Sequence, residues 1–381
     1  MKQPIYLDYA AATPLDPAVL SVMQPYFAER FYNPSALYLA AKEVKRDIEV
    51  ARSQVARLIG ARPGEVIFTA GGSESNNMAI NGIMARFPGK RVVVSAVEHD
   101  SVREPSRVFD SVEASVNELG SVDIAKLESA INDDTVLVSV MYANNEIGTI
   151  QPIKEIASLV AKIRQQRLEQ GNKLPLYLHS DACQASNYLD LHVSRLGVDL
   201  MSLNGGKIYG PKQSGILYVR AGIELEAMIR GGGQEMGLRS GTENVAGIIG
   251  FAEALEAAQA KRAVETRRLQ ELQRLFIEQI QQQVPGVEIN GSRKKRLPNN
   301  VHVTIPGVDN ERLLMQLDEL GVICATGSAC SASKQEASHV LNAIGLNDEA
   351  ARSSLRFTMG RSTTEKDVMR AVEALRKSLL K

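Results

Sequence analysis

Five short polar clusters carry most of the reactive side chains of this 381-residue chain, and each directly follows an apolar run. In chain order they are "FTAGGSESNN" with Gly71, Gly72, Ser73 and Glu74, "AVEHDSV" with Glu98 and His99, and "YANNEIGTIQP" with Asn144, Asn145 and Glu146. "LHSDACQAS" with Asp181 and Gln184 and "MSLNGGKIYGPK" with Lys207 complete the set. The first reads as an anion cradle: glycines let a backbone approach, a following helix offers free N–H groups, and Ser73 adds a hydroxyl. The same residues also start many ordinary helices. A lone histidine such as His99 is more often structural than catalytic, and Asn-Asn-Glu is common turn chemistry.

The last two clusters say more. Lys207 follows two glycines, but the nucleotide loop G-x-x-x-x-G-K-[ST] fails here, with Met201 where its first glycine belongs and Ile208 where a hydroxyl is needed. An amine held in a glycine turn at a strand end can instead form a Schiff base with an aldehyde cofactor, although a solvated surface lysine has the same local sequence. Asp181 would be costly to bury at a strand end unless it met a cation. A pyridinium nitrogen is such a cation, and Gln184 could then reach the ring's phenolic oxygen.

Positioning these clusters requires an α/β framework. "AKEVKRDIEVARSQVARLIG" has helical spacing and stops at Gly60. "EVIFTA", "KRVVVSAVEH", "TVLVSVMYAN", "LPLYLHSDA", "DLMSL" and "GILYVR" read as strands, several of them apolar throughout, as in a mostly parallel sheet covered on both faces. In such sheets ligands bind at the carboxyl ends of the strands, where the five clusters lie. From Gly250 a long amphipathic helix leads into "NNVHVTIP", helices near "NERLLMQLDELG" and "SHVLNAIG", the strand "SLRFTMG" and a last helix from "TEKDVMRAVEALRKSLL". This predicts a smaller α+β domain. The expected organisation is residues 1–15 joining the small domain, 16–250 as the large domain and 251–381 as the small one.

Hydrophobic residues make up 44% and charged ones 23%, as in globular enzymes. Forty-four basic residues balance 44 acidic ones, which argues against a nucleic-acid or membrane partner and for a small substrate or a protein. The N-terminus is broken by prolines and acids, and no run reaches membrane-spanning length, so the expected location is the cytoplasm. Three cysteines, Cys183, Cys324 and Cys330, form no C-x-x-C pair and are too few for a disulfide framework; no metal site is expected. The basic run "GSRKKRLPNN" reads as a solvated loop.

Taken in order, the strand-end motifs and "KIYGPK" resemble the pyridoxal-phosphate enzymes of the class V aminotransferase superfamily. "TGSACSAS" and "SLRFTMGRSTTEKDV" resemble the group I cysteine desulfurases within it, whose catalytic cysteine lies on a longer, mobile loop. "YLDYAAATP", "NPSA" and "GGGQEMGLRSGTEN" extend the resemblance over nearly the whole chain. It implies fold type I, with a seven-stranded type of mostly parallel sheet in the large domain. It also implies that Lys207 is the Schiff-base lysine, Asp181 pairs with the pyridine nitrogen, and His99 stacks on the ring and assists proton transfer. Asn145 and Gln184 would hold the phenolic oxygen, and Gly72, Ser73 and Asn204 the phosphate. Thr242 would reach that phosphate from a neighbouring subunit, hence a homodimer. Arg356 would bind the substrate carboxylate, with Asn33 nearby, and Cys330 would take sulfur from L-cysteine as a persulfide for an acceptor such as an iron-sulfur scaffold or a tRNA-thiolation enzyme. Cys183 and Cys324 read as packing residues. The chain departs from the family at Gly206, where a phosphate-binding histidine is usual, at Asn204, usually serine, and near Tyr38, usually histidine. Selenocysteine lyase, another C–S lyase, and a weakly active binding platform are the other readings of the same motifs.

Overall fold

The computed structural model describes residues 4–327 and 338–380. After a short strand β1 (Ile5–Tyr6), seven strands form the central sheet. They are β2 (Val66–Thr69), β3 (Arg91–Ser95), β4 (Asp110–Ala114), β5 (Thr135–Ser139), β6 (Tyr177–Asp181), β7 (Leu200–Asn204) and β8 (Gly215–Val219). Their spatial order is β2-β8-β7-β6-β5-β3-β4, with β8 antiparallel to both neighbours and all other pairs parallel.

Successive residues of these strands enter different cores. Phe68, Val93, Ile216 and Tyr218 pack into one apolar cluster, while Ile67, Val92, Val94, Leu217 and Val219 pack into another. Both faces are therefore covered, which is why the strands read as continuous apolar runs. The α/β architecture with a mostly parallel sheet is the one expected, with two additions. Strand β4, "DSVEA", is a partly exposed edge without an apolar run, so its sequence carries little strand signal. Strand β8 reverses because only residues 205–214 separate it from β7, and a parallel return needs a longer crossover.

A 39-residue helix, Val245–Gln283, spans the molecule. Its residues up to Ala258 pack with the central sheet, whereas Leu269, Leu272, Phe276 and Ile280 join a separate cluster with the C-terminal elements. There β9 (Glu288–Ile289), β10 (Asn300–Thr304) and β12 (Ser354–Thr358) form an antiparallel sheet, and β11 (Val322–Ile323) pairs with β1 in parallel. Ile5 and Leu7 are buried in that second cluster, and Asp8 bridges to Thr358. The N-terminal segment thus brings Ala10 and Ala11 beside the C-terminal edge of the central sheet.

Candidate active site

At that edge an open cleft is lined by Gly72, Ser73, His99, Asn145, Asp181, Gln184, Asn204, Lys207 and Arg356. Clusters after β2, β3, β5, β6 and β7 converge there, and Arg356 enters from β12.

The glycine cradle has a geometric cause. Gly71 caps the helix Gly72–Met84 with φ 126° and ψ −173°, a region closed to residues with a Cβ. A Cβ on Gly72 would lie 2.7 Å from Cys183 Sγ. The Asn204 Oδ1 accepts from the Gly206 N–H at 2.9 Å, and its Nδ2 lies beside Gly72. Cys183 is thus a wall of the cleft rather than remote packing, with burial holding its thiol well above the ordinary range. Cys324 lies in the C-terminal core, its thiol pushed up to about 12 by burial.

Asp181, 7% exposed, accepts from Asn76 Nδ2 at 2.7 Å and from the Cys183 N–H at 2.9 Å. Both donors are neutral, and Asp181 forms no salt bridge with a described residue. Asn76 Nδ2 also donates to Ser101 Oγ at 2.9 Å, and Ser101 Oγ lies 2.8 Å from His99 Nδ1. The Ser101 N–H donates to the same nitrogen at 3.0 Å, so His99 caps the helix Asp100–Ser106 and Nδ1 is an acceptor. That fixes the neutral tautomer with its proton on Nε2. A two-residue bridge therefore joins the carboxylate to the histidine. Sequence reasoning missed Asn76 and Ser101; the signal was helical spacing, since Asn76 lies one turn after Ser73 on the same helix face.

Below the site, Glu98 is fully buried and pushed up to about 8, chiefly by burial. Its Oε1 accepts from Ser95 Oγ and the Met141 N–H, and its Oε2 has no partner among the described residues. His179, between Ser139 Oγ and Ser202 Oγ, is lowered to about 4 by burial.

Lys207 Nζ donates to the carbonyls of Ala10 at 2.8 Å and Ala11 at 2.6 Å, and burial lowers its pKa. Gln184 Nε2 donates to the Ala10 carbonyl at 3.0 Å. Arg356, 2% exposed, is braced by Asp8 Oδ1 at 2.7 Å and the Asn145 carbonyl at 3.1 Å, while its Nε has no partner among the described residues. Asp8 is a further residue that sequence reasoning missed, because nothing local links it to a strand 348 residues away. Asn33 and Thr242 do not line the cleft and are exposed; Asn33 Oδ1 turns back to the Ser35 N–H at 2.9 Å. Cys330 lies outside the described residues.

The model of one protein family, "Aminotransferase class-V", matches residues 5–371. The chain belongs to the class V aminotransferase family. Among members of known name it is 43% identical to "Cysteine desulfurase IscS" of Dictyoglomus turgidum over 388 residues, covering 100% of this chain and 96% of that protein. It is 41% identical to the protein of the same name from Methanosarcina thermophila, covering 97% and 91%. A solved "NifS-like protein" superposes with a TM-score of 0.91 at 29% identity, covering 99% of this chain and 100% of that one. A NifS-like protein from Rickettsia africae gives 0.89, also at 29% identity, with both chains fully covered.

Proposed function

We propose that this chain, a cysteine desulfurase of the class V aminotransferase family, uses pyridoxal 5'-phosphate to take sulfur from L-cysteine, leaving L-alanine and a persulfide on Cys330. The observation that carries the reading is Asp181: a buried carboxylate whose donors among the described residues are all neutral, in one cleft with an amine and a glycine cradle. A pyridinium nitrogen would supply the missing cation. The cradle suits a phosphate, because Gly71 and Gly72 keep side chains off the backbone while Ser73 Oγ and Asn204 Nδ2 donate to no described residue. The residues therefore fit the cofactor.

Pyridoxal phosphate, when bound, supplies an electron sink that weakens the substrate's bond to sulfur. Asp181 would hold the ring nitrogen, Gln184 and Asn145 the phenolic oxygen, and Gly72, Ser73 and Asn204 the phosphate. Lys207 supplies the Schiff-base amine; burial favours its uncharged, nucleophilic form. His99 commits Nδ1 to Ser101 and leaves Nε2 to hold or release a proton. Arg356, braced by Asp8, is set to take the substrate carboxylate, a task that suits a planar guanidinium. Asn33 assists from its exposed turn.

In this reading the enzyme is a cytoplasmic homodimer, and Thr242 of the partner subunit completes the phosphate site. Exposed Phe27, Phe31, Leu37 and Leu39, each at least 64% accessible, are apolar side chains that a subunit contact would cover. The chain divides into residues 1–15 with the small domain, 16–250 as the cofactor domain and 251–381 as the small domain. The C-terminal core that Ile5 and Leu7 join and the β1–β11 pairing support that division, while Phe251–Ala258 and Val340, Leu341, Ile344 and Ala351 pack across it against the central-sheet core. The persulfide passes to an acceptor protein such as an iron-sulfur scaffold or a tRNA-thiolation enzyme.

Purified protein with L-cysteine and a thiol should release sulfide and alanine in equal amounts. Cys330→Ala should abolish both while keeping the cofactor's absorption, and Lys207→Ala should be colourless. Equal alanine from wild type and Cys330→Ala would sink the persulfide step.

A further inference from the structure

The segment "GGGQEMGLRSG", residues 231–241, carries two consecutive non-glycine residues in the left-handed region, Glu235 with φ 47° and Met236 with φ 59°. Such a pair persists only where its surroundings over-determine it. Here the surroundings are specific. The Glu235 carboxylate, 7% exposed, accepts from Arg52 Nη1 and Nη2 at 2.8 Å each and from the Phe68 N–H at 2.8 Å. Arg52 Nη1 also donates to the Val66 carbonyl at 2.8 Å, and its guanidinium lies 4.8 Å from the centre of the Phe68 ring.

Val66 and Phe68 belong to β2, which forms the edge of the central sheet opposite β4. Arg52 and Glu235 thus satisfy the backbone groups that a missing neighbour strand would have paired. Three residues after Phe68 the chain enters the cradle at Gly71. On the far side, Glu74 directly follows Ser73, and it pairs with Arg239 Nε at 2.9 Å. One strained segment therefore grips both the strand entering the cradle and the helix leaving it.

We propose that Arg52–Glu235 and Arg239–Glu74 form a clamp that positions the Gly71–Ser73 cradle for a phosphate ester, making all four positioning residues. A staple protecting the sheet edge would need only the first pair; the second adds nothing to β2 and bears on the cradle alone. The inference rests on the cradle receiving the cofactor phosphate.

The test uses the full chain freed of cofactor and titrated separately with pyridoxal phosphate and with pyridoxal, which lacks the phosphate. Arg239→Gln and Glu74→Gln should each weaken pyridoxal phosphate binding by about tenfold, with pyridoxal changed less than about twofold. A purely electrostatic role predicts opposite signs, since removing Glu74 would then favour an anion and removing Arg239 would disfavour it; opposite signs overturn the clamp. Equal losses for both ligands, or no loss for either, overturn it as well. Arg52→Lys should show the same selective loss, and if it does not fold, the two partly exposed positions on the other side still decide. Wild-type protein that binds neither ligand would refute the cofactor reading instead.

Discussion

Gly72→Ala is the sharpest probe of the cradle. The added Cβ would fall 2.7 Å from Cys183 Sγ, roughly 1 Å inside an ordinary carbon–sulfur contact. The helical backbone at Gly72 is no obstacle, so the clash is the whole cost. Cys183 is buried, so relief must either swing its Sγ into packed neighbours or separate the helix start from the turn after β6. Overpacking of this kind costs about 1–3 kcal/mol. Those two segments carry the cradle and Asp181, so cofactor affinity should fall by about tenfold or more along with stability. Cys183→Ala deletes the sulfur and should cost about 1 kcal/mol on its own as a small cavity. In the double variant the remaining neighbours of the new Cβ are Asn204 Nδ2 at 3.4 Å and Cβ at 3.5 Å, close to normal contacts. The double variant should therefore recover most of the loss, with a coupling of about 1–2 kcal/mol in urea unfolding and in the pyridoxal phosphate dissociation constant. Additivity within about 0.5 kcal/mol, or a Gly72→Ala protein indistinguishable from wild type, would refute the steric argument.

Three further outcomes follow from the same geometry. Gly206→His should tighten pyridoxal phosphate by about tenfold through a hydrogen bond to a charged group, since its Cβ would clear Asn204 Oδ1 by 3.4 Å and Lys212 Cγ by 3.6 Å; an unchanged dissociation constant rejects it. Asn76→Asp would set a second carboxyl about 2.7 Å from Asp181, forcing the pair to share a proton, so cofactor affinity should gain a pH dependence beyond that of wild type; parallel profiles would refute this. Stability should peak near pH 6.5. Glu98 is raised from 4.5 to about 8, so its contribution is whole below 4.5 and is withdrawn as pH rises toward 8, at about 1.4 kcal/mol per unit. His179 and His302 are depressed from 6.5 to about 4 and about 3, so theirs are whole above 6.5 and are lost as pH falls through those values. Urea midpoints across this range should show both limbs, and Glu98→Gln should flatten the alkaline one; an unaltered alkaline limb would count against a neutral buried Glu98.

The five clusters were legible because a parallel sheet puts the carboxyl end of every such strand at one edge, so polar residues after an apolar run meet there without any long-range information. Asn76 and Ser101 were not, although both fall inside the first two clusters, because each sits in a helix and acts through a side-chain bridge that only packing reveals. Asp8 and Arg356 meet through a β1–β11–β12 arrangement that no local pattern encodes. Cys183 was read as packing because its apolar neighbours are all that the sequence shows; its contact with Gly72 depends on how the helix start approaches β6. Edge strand β4 lacked an apolar run for the plain reason that half of it faces water.

The glycine pair before Lys207 separates what folding demands from what the site tolerates. A Cβ on Gly205 would fall 2.2 Å from Ser214 Oγ and 2.9 Å from the Pro211 carbonyl, so the turn between β7 and β8 closes only with glycine there. Gly206 has no such neighbour, and its backbone is not left-handed. Its missing side chain therefore answers to no packing constraint. In the proposed cofactor site the phosphate contact at this end would come from Asn204, whose Oδ1 already accepts from the Gly206 N–H and whose Nδ2 faces Gly72. Asn204→Ser, the residue usual in the family, should consequently weaken cofactor binding in this chain and be neutral in the Gly206→His background. Equal effects in the two backgrounds would mean that Asn204 does not substitute for the absent imidazole.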